Sequence, residues 1–145
     1  MEKLRAGFTL IELLLVLVIL SVLAAIVTPL YLNQAERARH DTTVADISNI
    51  KTALETFCIS NGRYPSTQEG LYALIDAPSD LENTWNGPYL DNIPIDKWNH
   101  PYAYAFPSSD DPRTYSLASA GKDGEFGTAD DITKASLNNT KTPPQ

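Results

Sequence analysis

Residues 8–28, FTLIELLLVLVILSVLAAIVT, make a run of 21 residues in which Glu12 is the only charge and Thr9, Ser21 and Thr28 are the only other polar side chains. At about 1.5 Å per residue, a helix of that length covers the roughly 30 Å of a bilayer's hydrocarbon core. The preceding MEKLRAG carries Lys3 and Arg5 against the single acid Glu2. By the positive-inside bias this end stays cytoplasmic and the rest of the chain is exported. A cleavable secretory signal fits less well. Its apolar region spans only about 7 to 15 residues, and the nearest small-residue site, Ala24-Ala25-Ile26, has no clear soluble start after it.

Glu12 is the anomaly. A carboxylate in hydrocarbon costs on the order of 2.5 to 3.5 kcal/mol by insertion scales, and such residues are usually functional. No Lys or Arg occurs between Glu12 and Arg37, so the segment contains no cation to pair with it. Cleavage after Gly7 would supply one, the new α-amino group of Phe8. That amine lies one helical turn from Glu12 in the same chain and within reach of Glu12 on a staggered neighbour.

Gly7 followed by Phe8-Thr9-Leu10-Ile11-Glu12 and a long apolar helix resembles the leader and N-terminus of type IV pilins and pseudopilins. The resemblance implies that a prepilin peptidase cuts after Gly7, that Phe8 becomes N-methylated, and that Glu12 guides assembly by pairing with a Phe8 amine. Pro29 falls inside the helical run. It removes a backbone donor there and clashes with the preceding turn, so it predicts a kink or melted turn or else marks the membrane exit.

Beyond Pro29, Val44, Ile47, Ile50, Leu54, Phe57 and Cys58 recur at 3-4 spacing. This is the apolar stripe of a helix with one buried face, and it makes Cys58, the single cysteine, a core thiol. Glu36, Arg37, Arg39, Asp41, Asp46, Lys51 and Glu55 fall opposite. One long helix is therefore predicted to about Ser60, stopped by Asn61-Gly62. Ser66 and Glu69 have capping-box spacing and predict a short helix over 67–75. The aromatic, Pro-rich stretch 76–112 reads as loops and short strands, with period-2 alternation at Tyr102-Ala-Tyr104-Ala-Phe106 and a second strand at Tyr115-Ser-Leu117-Ala.

The segments NGRYPSTQEGLYAL, IPIDKWNHPYAY and YSLASAGKDGEFGTADDI are similar in content and order to the major pseudopilins of type II secretion systems, the general secretion pathway protein G family. The resemblance runs from about Ala6 to Ile132. It implies an α+β, type IV pilin-like fold in which a long N-terminal helix packs against a small antiparallel sheet. The expected divisions are a leader at 1–7, a transmembrane and filament-core helix at 8–30, a periplasmic globular part at 31–132, and a tail at 133–145 with little to bury.

Asp123, Glu125, Asp130 and Asp131 place four carboxylates within nine residues. By spacing alone this is either a solvated acidic turn or a site for a hard cation. Calcium takes 6 to 8 oxygens, main-chain carbonyls included. The loop is not an EF-hand, because counting from Asp123 the glycine position holds Thr128 and the bidentate position Lys134. The resemblance implies a calcium loop, with Asp123, Asp130, Asp131 and the carbonyl of Ala120 as ligands and Glu125 and the carbonyl of Thr128 as further candidates.

A net charge of −7 with scattered Lys and Arg argues against a nucleic-acid partner. His40 and His100 fall on different elements, both as surface residues, and no G-x-S-x-G elbow occurs, so no enzyme is predicted. The alternative is a major type IV pilin of an adhesion, motility or DNA-uptake pilus. Against it stand the acidic loop and the lack of paired C-terminal cysteines. A singly anchored module that never polymerises would leave Glu12 without a purpose. The expectation is a homopolymeric periplasmic filament subunit, anchored in the bacterial inner membrane before assembly. Its implied partners are the prepilin peptidase, the minor pseudopilins and the inner-membrane assembly platform.

Overall fold

The computed structural model describes residues 8–135. Gly7 and the tail 136–145 lie outside them. The chain divides between Ala38 and Arg39 into two units. One element, α1 (Leu10–Asn61), is continuous across that division and stays helical through Pro29, with no melted turn there.

In the first unit, every large apolar side chain from Leu10 to Val27 is 50% to 79% exposed. This is the one described helix long and apolar enough to cross a membrane. Its polar groups are satisfied locally. The Ser21 hydroxyl donates to the Leu17 carbonyl at 2.7 Å and the Thr28 hydroxyl to that of Ala24 at 2.8 Å, as a segment in lipid requires.

In the second unit the helix buries Thr43, Ile47, Ile50, Ala53, Leu54 and Phe57, a stripe at 3-4 spacing. Cys58 at its edge is only half-buried, so the expected core thiol is a rim thiol. Asp46 is not on a purely solvated face either, because its carboxylate takes Lys97 Nζ at 3.0 Å and the Tyr102 hydroxyl at 3.4 Å. The helix ends as its sequence requires. Asn61 Nδ2 donates to the Phe57 carbonyl at 3.0 Å, and Gly62 turns left-handed at φ 76°.

Strands β1 (Ala103–Ala105), β2 (Ser116–Ser119) and β3 (Ile132–Thr133) form an antiparallel sheet in the order β1-β2-β3. Leu117 and Ile132 close the core over the helix stripe. β3 was not anticipated, since two residues are too few to show periodicity. It also moves the expected tail boundary: Thr133 pairs with Ala118, and Lys134 donates its backbone N–H to Leu117 at 3.1 Å, so the packed unit continues past 132.

Where a helix was expected over 67–75, a turn leads into a five-residue 3-10 helix, η1 (Gly70–Leu74). The capping box itself is closed. Glu69 accepts the Ser66 N–H at 2.6 Å and donates its own N–H to the Ser66 hydroxyl at 3.3 Å. Gly70, at φ 58°, is incompatible with a further α-turn, and the chain tightens to 3-10. The Arg63 guanidinium grips Glu69 with two bonds of 2.8 and 2.7 Å and also reaches Asp80 at 2.9 Å.

That grip holds the Glu69 carboxyl down at about 2, chiefly through the Arg63 hydrogen bonds, which outweigh the opposing effect of burial, with further lowering from Ser66. A depressed carboxylate contributes stability that is complete above its unfolded value of 4.5 and is lost as pH falls toward 2. Glu69→Gln is expected to cost on the order of 2 kcal/mol at neutral pH. It should also flatten the dependence of denaturant midpoint on pH between about 4.5 and 2, and parallel curves for parent and variant would contradict the assignment.

Candidate functional site

At the start of α1, the side chain of Glu12 turns back on the helix terminus. Its Oε2 accepts the Thr9 backbone N–H at 3.0 Å and the Thr9 hydroxyl at 2.9 Å, while the Glu12 N–H donates to Thr9 Oγ1 at 3.3 Å. This is a reciprocal capping box. It answers, within one turn, donors that a helix start leaves unpaired and gives the Glu12 carboxylate local partners in an otherwise apolar segment. The Thr-x-x-Glu spacing that signals it is the same spacing that flagged Ser66 and Glu69, yet here the apolar run overshadowed it. Phe8 beside it is 86% exposed.

The acidic loop follows β2, and Gly121, Gly124 and Gly127 all take positive φ there. Asp130 organises it. Its Oδ2 accepts the N–H of Lys122 at 2.7 Å and of Asp123 at 3.1 Å, and its Oδ1 accepts the Thr128 hydroxyl at 2.7 Å. These donors, Thr128 first, hold the exposed carboxyl at about 2. Asp131 Oδ2 accepts the Gly127 N–H at 2.7 Å, and Asp123 Oδ1 accepts that of Glu125 at 2.9 Å. The Thr128 hydroxyl also approaches the Glu125 carbonyl at 3.2 Å. Ala120 is buried where the loop leaves the sheet.

Asp123, Glu125, Thr128, Asp130 and Asp131 thus belong to one hydrogen-bonded loop, with Ala120 at its root. Asp131 Oδ1 is buried without a hydrogen-bond partner. An orphaned carboxylate oxygen beside hard oxygen donors suits a hard cation. Among the described residues no three acidic, imidazole or thiol side chains converge on one point, so an ion would have to draw on main-chain carbonyls as well, as calcium does.

Sequence reasoning missed His100. It was expected as a surface residue, but its Nδ1 lies 3.1 Å from the Gly121 carbonyl, and a Cβ added at Gly124 would come within 2.9 Å of its Nε2. The imidazole therefore sits against the base of the acidic loop. No sequence pattern signals a contact across 21 residues. His40, by contrast, is exposed as expected.

The family of type II secretion system protein G matches residues 30–137. The chain belongs to that family. A prokaryotic N-terminal methylation motif matches residues 3–28 and so contains Gly7, Phe8 and Glu12. The chain is 38% identical over 140 residues to the type II secretion system core protein G of Escherichia coli K12, covering 94% of this chain and 95% of that one. It is 40% identical over 129 residues to the core protein G of Pseudomonas aeruginosa, covering 87% and 89%. The crystal structure of the major pseudopilin from the type 2 secretion system of enterohaemorrhagic E. coli superposes with a TM-score of 0.61 at 27% identity. That match covers 73% of this chain and 94% of the other. The fold is pilin-like, a long N-terminal helix with a small antiparallel sheet, and the family is one of structural pseudopilins.

Among the glycines of the acidic loop, Gly121 is the most tightly packed. At φ 62° its missing Cβ would lie 2.4 Å from the Asp130 carbonyl oxygen and 2.6 Å from Asp130 Oδ2. Gly121→Ala is expected to destabilise the fold by about 3 kcal/mol, combining left-handed strain with overpacking. Gly62→Ala has a similar φ but open space around it, so it should cost only about 1 to 2 kcal/mol. Equal losses in denaturant unfolding would show that Asp130 does not press on Gly121.

Proposed function

We propose that this chain is the major subunit of a periplasmic pseudopilus. It would be cleaved after Gly7 and methylated on Phe8 by a prepilin peptidase, then drawn from the inner membrane into a helical homopolymer that drives folded proteins through the outer membrane. The observation that carries this reading is the family match over residues 30–137 beside a methylation motif at 3–28. The physical support is the exposed apolar face of residues 10–27, which lipid covers before assembly and neighbouring helices cover afterwards. Cleavage turns the Phe8 amide into an ammonium. The Glu12 carboxylate can then exchange its hydrogen bonds with neutral Thr9 for a charge-assisted bond to a neighbour's Phe8 amine. The platform and the minor pseudopilins act on the subunit from outside, and its own work is mechanical.

Deleting the gene should leave secreted enzymes in the periplasm while surface pili stay at normal number. Normal secretion with lost pili would make the protein a pilin instead. Complementation with Glu12→Ala should restore a membrane-inserted, cleaved subunit but at least a tenfold lower filament yield by electron microscopy. An undiminished yield would remove Glu12 from assembly.

The acidic loop is proposed as a calcium site formed by Asp123, Asp130, Asp131 and the Ala120 carbonyl, with Glu125 and the Thr128 carbonyl as further donors. Bound calcium would supply a positive charge that lets these oxygens sit together and locks the loop. A ligand at a hundredfold its dissociation constant stabilises the folded state by about 2.7 kcal/mol. For a domain of this size that is on the order of 10 °C. Chelator should lower the melting temperature of the full chain in detergent accordingly, and re-added calcium should restore it. An unchanged melting temperature would rule the site out.

A further inference from the structure

Asp96 is a carboxylate with no exposed side-chain surface and no Lys or Arg partner among the described salt bridges. Neutral donors hold it. Oδ1 accepts the N–H of Trp98 at 3.0 Å and of His100 at 2.7 Å, and Oδ2 accepts the Ser119 hydroxyl at 2.6 Å. The His100 ring lies beyond hydrogen-bond distance, with Nδ1 3.8 Å from Oδ2. A buried carboxylate is expensive unless its oxygens are bonded, and a fully hydrogen-bonded one rigidifies what it holds. Its turn is closed by the Asp96 N–H to the His100 carbonyl at 2.9 Å and by a bridge between Ile95 and Pro101.

What Asp96 holds is the root of the acidic loop. The Ser119 hydroxyl, oriented by its bond to Asp96, accepts the Gly121 N–H at 3.1 Å. That N–H belongs to the same planar peptide unit as the Ala120 carbonyl, so fixing one fixes the direction of the other. The following peptide unit is held at both ends. His100 Nδ1 must be the donor to the Gly121 carbonyl at 3.1 Å, since a carbonyl only accepts, and the Lys122 N–H of that unit is bound by Asp130 Oδ2 at 2.7 Å. Two successive peptide planes are thus set by Ser119 of β2, by His100 of the 96–100 turn and by Asp130 of the loop itself.

We propose that Asp96, Ser119 and His100 are positioning residues that preset the Ala120 carbonyl for calcium, so that the ion meets one main-chain ligand already oriented. The inference rests on the calcium reading. None of the three residues is itself a ligand. They act as outer-shell groups do at metal sites, where loss of one typically weakens binding about 10- to 100-fold.

The test uses the full chain in detergent micelles, with calcium titrated calorimetrically and terbium as a luminescent calcium substitute whose lifetime counts bound water. Ser119→Ala is expected to weaken calcium binding by about 10- to 100-fold and to shorten the terbium lifetime as water replaces the carbonyl. His100→Ala, at a one-third exposed position, should act in the same direction. His100→Asn, which places an amide N–H where Nδ1–H lies, should recover affinity to within about threefold of the parent. Binding by Ser119→Ala and His100→Ala within twofold of the parent, with unchanged lifetimes, would overturn the proposal. So would losses that track lowered melting of the calcium-free variants and that Asn does not rescue. A parent chain that binds neither ion would sink the calcium reading itself, and this inference with it.

Discussion

The first unit is governed by apolar surface that its own chain does not cover. From Leu10 to Val27 no large side chain is less than half exposed. At roughly 25 cal/mol per Å² of apolar area, leaving such a stretch in water is prohibitive. Under the proposed function the segment has two environments, a bilayer and the flanks of identical helices, and assembly would exchange one for the other. Because lipid tails and leucines are similarly apolar, that exchange has little hydrophobic driving force of its own. The polar exception is Glu12, whose hydrogen bonds to Thr9 tie it to its own helix end; under the proposed function, direction and register would fall to this carboxylate.

The second unit has the opposite problem, too little regular structure for its size. Three strands contribute few residues, so long connections must be tied down individually. The Tyr104 hydroxyl donates to the Pro65 carbonyl at 2.7 Å, Trp85 Nε1 donates to Ala73 at 3.1 Å, and Thr67 exchanges hydrogen bonds with Phe106, donating its hydroxyl and accepting an N–H, both at 2.9 Å. Burial pushes the phenols of Tyr102, Tyr104 and Tyr115 up, well above the ordinary range. These rings therefore remain neutral donors throughout the physiological range. Phe57 and Trp85 each meet Tyr89 edge-on, with centroids 5.5 and 5.7 Å apart, and so anchor the 85–90 segment to the helix.

Sequence legibility follows the range of the physics involved. The membrane helix, the buried stripe at Ile47, Ile50, Leu54 and Phe57, the Gly62 stop and the Ser66–Glu69 box depend on neighbours within a few positions, and periodicity or local spacing exposes them. Strand β3, the seat of Lys134 over the Tyr115 ring at 4.0 Å, and the contact of His100 with Gly121 depend on residues 13 to 21 positions apart. No local pattern encodes those. The 67–75 segment shows the same limit from the other side. Its cap was legible, but whether α or 3-10 structure followed was decided by a positive φ at Gly70 and by β1 packing beside η1. The acidic loop was visible as composition. Its internal order, with Asp130 as hub, was not.

That internal order explains why an exposed, strongly acidic loop has a defined shape at all. Four carboxylates this close repel one another, and at Asp130 the repulsion is offset by two N–H donors and a hydroxyl. Those donors bring only partial charge. Asp131 Oδ1, buried without a partner, is where neutral hydrogen bonding stops short, and a full positive charge would be worth most there. A loop closed by neutral donors alone should hold its backbone while leaving that oxygen unsatisfied. Under the proposed calcium reading a bound cation would satisfy that oxygen, with the positive-φ glycines at 121, 124 and 127 shaping the turns around it.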